Sequence, residues 1–97
     1  MKRKILAIAA TALVLGASAD AKTCEKDYLV VTVGAVHADE NRRSLIKDKA
    51  ERTWGFNAGA KYGPGFAYWQ NAKRTSIKCK RIDGLWFCVA RARACSR

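Results

Sequence analysis

The stretch Ser76-Ile77-Lys78-Cys79-Lys80-Arg81-Ile82-Asp83-Gly84-Leu85-Trp86-Phe87-Cys88-Val89-Ala90-Arg91-Ala92 decides the fold. Two runs of strand length flank Asp83-Gly84, and an Asp-Gly pair in that setting is the strongest short-range signal for a β-hairpin closed by a two-residue type I′ turn. Such a turn places Ile82 opposite Leu85, Arg81 opposite Trp86, Lys80 opposite Phe87 and Cys79 opposite Cys88. The pair beside the turn is hydrogen-bonded and pairs alternate from there. The two cysteines therefore meet at a non-hydrogen-bonded site, where Cα atoms approach to about 4.5 Å, a separation that a disulfide spans.

The same pairing sorts the side chains. One face carries Ile77, Cys79, Trp86, Cys88 and the alanines at 90, 92 and 94, with Arg81 near the turn, and it is expected to meet a helix. The other carries Lys78, Lys80, Arg91 and Arg93 around Phe87 and Val89. It is a basic surface with an aromatic ring in its middle.

Upstream, Tyr28 to Val36 is a β-branched run read as a strand, with Leu29, Val31, Val33 and Ala35 on its core side. The sequence leaves open which hairpin strand it joins. The near-continuous apolar run Leu85 to Ala90 points to the second as the central one. From Asp39, expected to be the N-cap, the period becomes helical: Ile46, Ala50, Trp54 and Ala58 recur every fourth residue, with Leu45 and Thr53 filling the stripe. Lys47 with Glu51 and Asp48 with Arg52 are spaced to pair along the exposed side. Gly55 and Gly59 are expected to bend or fray this helix, and Tyr62-Gly63-Pro64-Gly65 to stop it. Phe66, Trp69 and Ala72 or Lys73 then suggest a short helix or turn with its aromatics inward.

At the N-terminus, a positive cluster Met1 to Lys4 precedes the apolar run Ile5 to Ala17, followed by small residues that admit cleavage after Ala19 or Ala21. This is the plan of a secretory signal peptide, and cleavage is expected after Ala19. Residues 1–19 are then the signal and 20–97 a single small domain, bound for the periplasm or the medium. So small a core needs staples. The four cysteines, Cys24, Cys79, Cys88 and Cys95, read as a disulfide framework in an exported chain. Four cysteines allow three connectivities; the hairpin geometry favours Cys79–Cys88, leaving Cys24–Cys95. A zinc site is not expected, because the nearest cysteine spacings leave six and eight residues between them rather than two.

The formal net charge is +11, and its distribution matters more than its size. Lys/Arg and Asp/Glu nearly balance from residue 20 to 72, whereas beyond 72 the only acidic residue is Asp83. Such a charge bears on anionic partners, not on the fold. The candidates are lipopolysaccharide or anionic lipid, nucleic acid, and acidic proteins or glycans.

Lys78, Lys80, Phe87, Arg91 and Arg93 form the one constellation that qualifies as a binding site, with the cations set against phosphates while Phe87 stacks or inserts. The bland alternative is a solvated sheet face whose cations keep an edge from pairing; a first strand that covers Phe87 would weaken the site. His37 is the single histidine and has no evident nucleophile or orienting carboxylate for a partner. Asp39 and Glu40 sit where a helix begins and suit its dipole. There is no glycine-rich phosphate loop, hydrolase elbow or zinc-protease motif. No enzymatic activity and no cofactor are expected.

The series Trp54, Tyr62-Gly63, Phe66, Trp69, Ala72, Cys79, Gly84, Trp86, Cys88 and Cys95 resembles a pattern in small exported alphaproteobacterial proteins of uncharacterised function, over roughly residues 40–97. The resemblance implies an exported, disulfide-bonded domain and supplies no activity or site residues. The expectation is a small disulfide-stapled α+β domain: a strand, a long helix, a short helix and a β-hairpin, with the antiparallel sheet packed on the helix. Its expected function is non-enzymatic binding of an anionic partner on the basic hairpin face. The rival is a disulfide-rigid interaction or inhibitor module that docks on one protein through exposed aromatics such as Tyr68 or Phe87. A membrane-damaging cationic peptide fits the charge but not the length or the core. The oligomeric state is left open.

Overall fold

Asp83 and Gly84 take φ angles of +52° and +83°, the positive pair that a type I′ turn requires, and the hairpin closes around them. The computed structural model describes residues 22–96, so the expected signal peptide lies outside the described residues. In chain order the elements are strand β1 (Cys24–Gly34), helix α1 (Arg43–Tyr62), strand β2 (Lys73–Ile82) and strand β3 (Leu85–Cys95). The sheet runs β1-β3-β2, antiparallel throughout, with β3 in the centre. With α1 against one face, this is a small α+β domain stapled by two disulfides.

The hairpin register is the expected one, from Ile82 opposite Leu85 to Ser76 opposite Arg91. Cys79 and Cys88 are bridged with Cα atoms 4.0 Å apart, and Cys24 and Cys95 with theirs 3.9 Å apart. All four cysteines are thereby oxidised, which leaves no thiolate to hold a metal.

The core lies between α1 and the sheet. Leu29, Val31 and Val33 of β1 stand opposite Ala92, Ala90 and Cys88 of β3. The small side chains of β3 at 90, 92 and 94, all fully buried, let the helix approach closely enough to bury Ile46 and the Trp54 indole between the layers. Burying an indole requires a partner for its N–H; Trp54 Nε1 donates to the Leu29 carbonyl at 2.9 Å, and Trp69 meets the ring edge-on at 5.2 Å.

Several boundaries differ from expectation. Strand β1 begins at Cys24, not Tyr28, because the Cys24–Cys95 bridge and the Ser96 N–H bond to the Thr23 carbonyl draw the earlier residues into the sheet. It ends at Gly34, with Val36 71% exposed. Strand β2 begins at Lys73 through a bulge, where Arg74 takes a φ of +55°.

Asp39 does not cap the helix. It lies exposed in a 3-10 turn (Ala38–Glu40), and α1 starts at Arg43 after Arg42, whose side chain makes no capping bond. The delay has a cause in Asn41, which accepts from the Trp86 N–H at 2.8 Å and donates to the Gly84 carbonyl at 2.9 Å. The chain is held to the hairpin there before the helix can begin. Glu40 accepts from the Val36 N–H at 2.6 Å, which with the Lys49 ammonium 3.8 Å away holds its carboxyl below the usual glutamate range.

Along α1 the buried stripe is narrow, Ile46, Ala50, Trp54 and Ala58; Leu45 is displaced by one residue, about 100° around the helix, and is 41% exposed. The expected Lys47–Glu51 and Asp48–Arg52 ion pairs do not form, and Lys49–Glu40 is the one ion pair among the described residues.

The helix runs unbroken from Arg43 to Tyr62 through both glycines. A Cβ on Gly55 would lie 2.6 Å from the Ala67 carbonyl oxygen, and one on Gly59 2.9 Å from the Ala67 Cβ, so both are where the following segment closes onto α1. Gly63, at φ +114°, ends the helix as expected and its N–H bonds the Gly59 carbonyl. The expected short helix is two 3-10 turns, Pro64–Phe66 and Trp69–Asn71, whose Phe66 and Trp69 pack against the core.

Candidate anion-binding face

Among the described residues α1 covers only one side of the sheet, and nothing packs on the other. Strand alternation and register assign its rows: Tyr28 with Arg93; Val30, Arg91 and Ser76; Thr32, Val89 and Lys78; Gly34, Phe87 and Lys80. Neither β2 nor β3 contains an Asp or Glu, and the two in β1, Glu25 and Asp27, precede Tyr28.

The five residues singled out from sequence all lie on this face, in different circumstances. Lys78 and Lys80 are exposed and make no ion pair among the described residues. The Arg91 guanidinium lies over the Tyr28 ring, 3.5 Å from its centroid, a cation–π contact that orients it across the β1–β3 seam. Arg93 is half-buried and its Nε donates to the Glu25 carbonyl at 2.8 Å, satisfying backbone where β1 slips register against β3.

Phe87 is committed too. Its half-buried ring lies on the bare backbone of Gly34, where an added Cβ would overlap the ring atoms. An aromatic covering a cross-strand glycine restores the contacts that the missing side chain leaves empty. The ring therefore does not stand free as a platform.

Between the cations the surface is apolar. Val30, Ile82 and Val89 are 50%, 44% and 37% exposed, and a shallow groove of about 450 Å3 runs past Ile82, Phe87, Val89 and Thr32 with Lys78 and Lys80 on its rim. Sequence reasoning missed Val30 and Ile82. The alternation of Val30 with Leu29 and Val31 was the available signal, but only the pairing of β1 with β3 brings it beside Val89 and Arg91.

A second groove, of about 440 Å3, lies beyond the outer side of α1, where Phe56 and Tyr68, 76% and 49% exposed, flank Gly55 and Ala67. His37 is exposed at the start of the 3-10 turn, where its carbonyl accepts from the Glu40 N–H at 3.1 Å.

Comparison of the chain with family models, curated proteins and solved structures returns no match. Its chemistry nevertheless bounds where it works: two disulfides belong to a protein of an oxidising, non-cytoplasmic compartment. Among the described residues, no helix is long and apolar enough to cross a membrane.

Proposed function

We propose that this chain is an exported, non-enzymatic binding protein, cleaved after Ala19 and delivered to the periplasm or the medium, which holds an anionic partner on the open face of its sheet. One observation carries the reading: Lys78, Lys80 and Arg91 stand together on the side that α1 leaves bare, on two strands without a single carboxylate. Lysines on the edge strand β2 alone would serve to keep it from pairing, but Arg91 adds the same charge on the central strand β3. A face of one sign concentrates anions.

Charge reversal tests this at Lys78 and Lys80, which are exposed and make no ion pair among the described residues. Lys78→Glu with Lys80→Glu is expected to weaken binding to lipopolysaccharide, anionic vesicles or single-stranded DNA at least about tenfold, and to flatten its salt dependence by roughly two in log–log slope, one per lost phosphate contact. Arg91 is left in place because removing it would uncover Tyr28. If the reversal leaves all three ligands bound as before, the reading is wrong. The Phe56–Tyr68 groove then becomes the leading surface, with a protein partner held in a salt-insensitive one-to-one complex.

A further inference from the structure

We infer that the anionic partner is a lipid leaflet, and that the sheet face lies on it with Val30, Ile82 and Val89 entering the boundary between headgroups and acyl chains. The inference rests on the binding face proposed above and names what that face takes. Its basis is the mixture of side chains. A surface that bound nucleic acid through single strands would present free aromatic rings for bases to stack on. Here the aromatics are spent: Phe87 lies on Gly34, and Tyr28 lies beneath the Arg91 guanidinium. What projects instead is aliphatic, with Val30 half exposed and Ile82 and Val89 nearly so.

The aliphatic residues and the cations alternate within one surface. Val30 is opposite Arg91, and Val89 is opposite Lys78, so both of these valines have a cation as a cross-strand neighbour. Ile82 follows Lys80 by two residues and points to the same side. Interfacial binding needs this combination, because apolar area enters the acyl boundary while cations on flexible stems reach the phosphates, and the two contributions add. A soluble phosphate would use the cations and leave the valines and isoleucine in water. The charge complementarity is one-sided, since no Asp or Glu lies in β2 or β3 to repel an anionic leaflet.

The test uses the protein in its exported form, both disulfides intact and its N-terminus read by mass, because the apolar run Ile5 to Ala17 would bind lipid by itself. Four probes are compared at about 150 mM salt, a physiological ionic strength: vesicles of phosphatidylglycerol and phosphatidylcholine, vesicles of phosphatidylcholine alone, glycerol phosphate, and a single-stranded oligonucleotide. Co-sedimentation with the anionic vesicles is expected, with weaker retention by the other three. Ile82→Ser with Val89→Ser is expected to lower vesicle partitioning about tenfold, as two half-exposed aliphatic side chains lose their apolar area. Ile82→Ser alone, at the rim of the sheet, should give part of that loss, and near-ultraviolet circular dichroism verifies that the fold is kept. Vesicle binding that survives the serine changes but falls on reversal of Lys78 and Lys80 overturns the lipid inference while leaving the anionic face intact. An oligonucleotide or glycerol phosphate held more tightly than the vesicles overturns it as well. Failure to bind any of the four overturns the lipid inference, and failure to bind lipopolysaccharide as well overturns the anionic face.

Discussion

At Gly55 the helix and the segment that follows it come within reach of a single methyl group. The sequence marks that glycine as a weak point of a helix, since its intrinsic preference is poor. In the structure the same residue is buried beneath the Ala67 carbonyl, and a Cβ there would intrude on backbone that has no rotamer by which to yield. Gly55→Ala is therefore expected to lower stability by about 1–3 kcal/mol, the cost of overpacking, despite the gain in helix propensity. Urea denaturation measures it. Gly65→Ala is the control: its added Cβ would meet nothing within 4 Å, so the change is expected to be neutral or to stabilise by about 0.4–1 kcal/mol. A Gly55→Ala protein as stable as the parent would show that the loop yields and that the contact decides little. Phe87 teaches the same point from the other side, because a ring that looks like a ligand platform in sequence is occupied by Gly34, a glycine 53 residues earlier in the chain.

Among the elements, the hairpin was the most legible, and the reason is local. Turn chemistry sets the register within a few residues of Asp83-Gly84, and the register then sets the Cys79–Cys88 bridge. The bridge spans only 9 residues of sequence, so on the chain-entropy account the cross-link contributes about 2.5 kcal/mol, which replacing both cysteines by alanine removes. Helix α1 was legible in its buried stripe and its stop, but not in its start. The stripe follows from period and the stop from Gly63, both carried by neighbouring residues. The start depends on Asn41, whose side chain continues the ladder at Trp86 where β1 has ended, and that contact joins residues 45 apart in sequence. The ion pair follows the same rule: Glu40 reaches Lys49 across the helix entrance, in place of the expected pairs along the helix.

For the whole molecule, the Cys24–Cys95 bridge is the decisive covalent link, closing a separation of 71 residues and tying the first strand to the last. The same account gives it up to about 4.5 kcal/mol, so Cys24→Ala with Cys95→Ala should cost more than the hairpin pair, and removing both bridges should leave the domain unfolded at 37 °C. Denaturation midpoints of the two double-alanine proteins check the order. If the hairpin pair proved the costlier, loop closure would not govern the stability of this fold. The architecture also explains the open face. One helix covers one side of three strands, and among the described residues no further element covers the other.

The sequence by itself determined the α+β class, the hairpin and its register and the core side of each strand, and it favoured the disulfide partners that the structure shows. Each of these follows from periodicity or turn chemistry acting over a few residues, or from pairing that a turn dictates. The tertiary structure alone decided that Phe87 rests on Gly34, that Arg91 lies over Tyr28, and that Val30, Ile82 and Val89 stay in water beside Lys78 and Lys80. Those facts depend on which surfaces meet. Meeting is settled by the shape and area that each element offers the others, a property that no single stretch of chain contains.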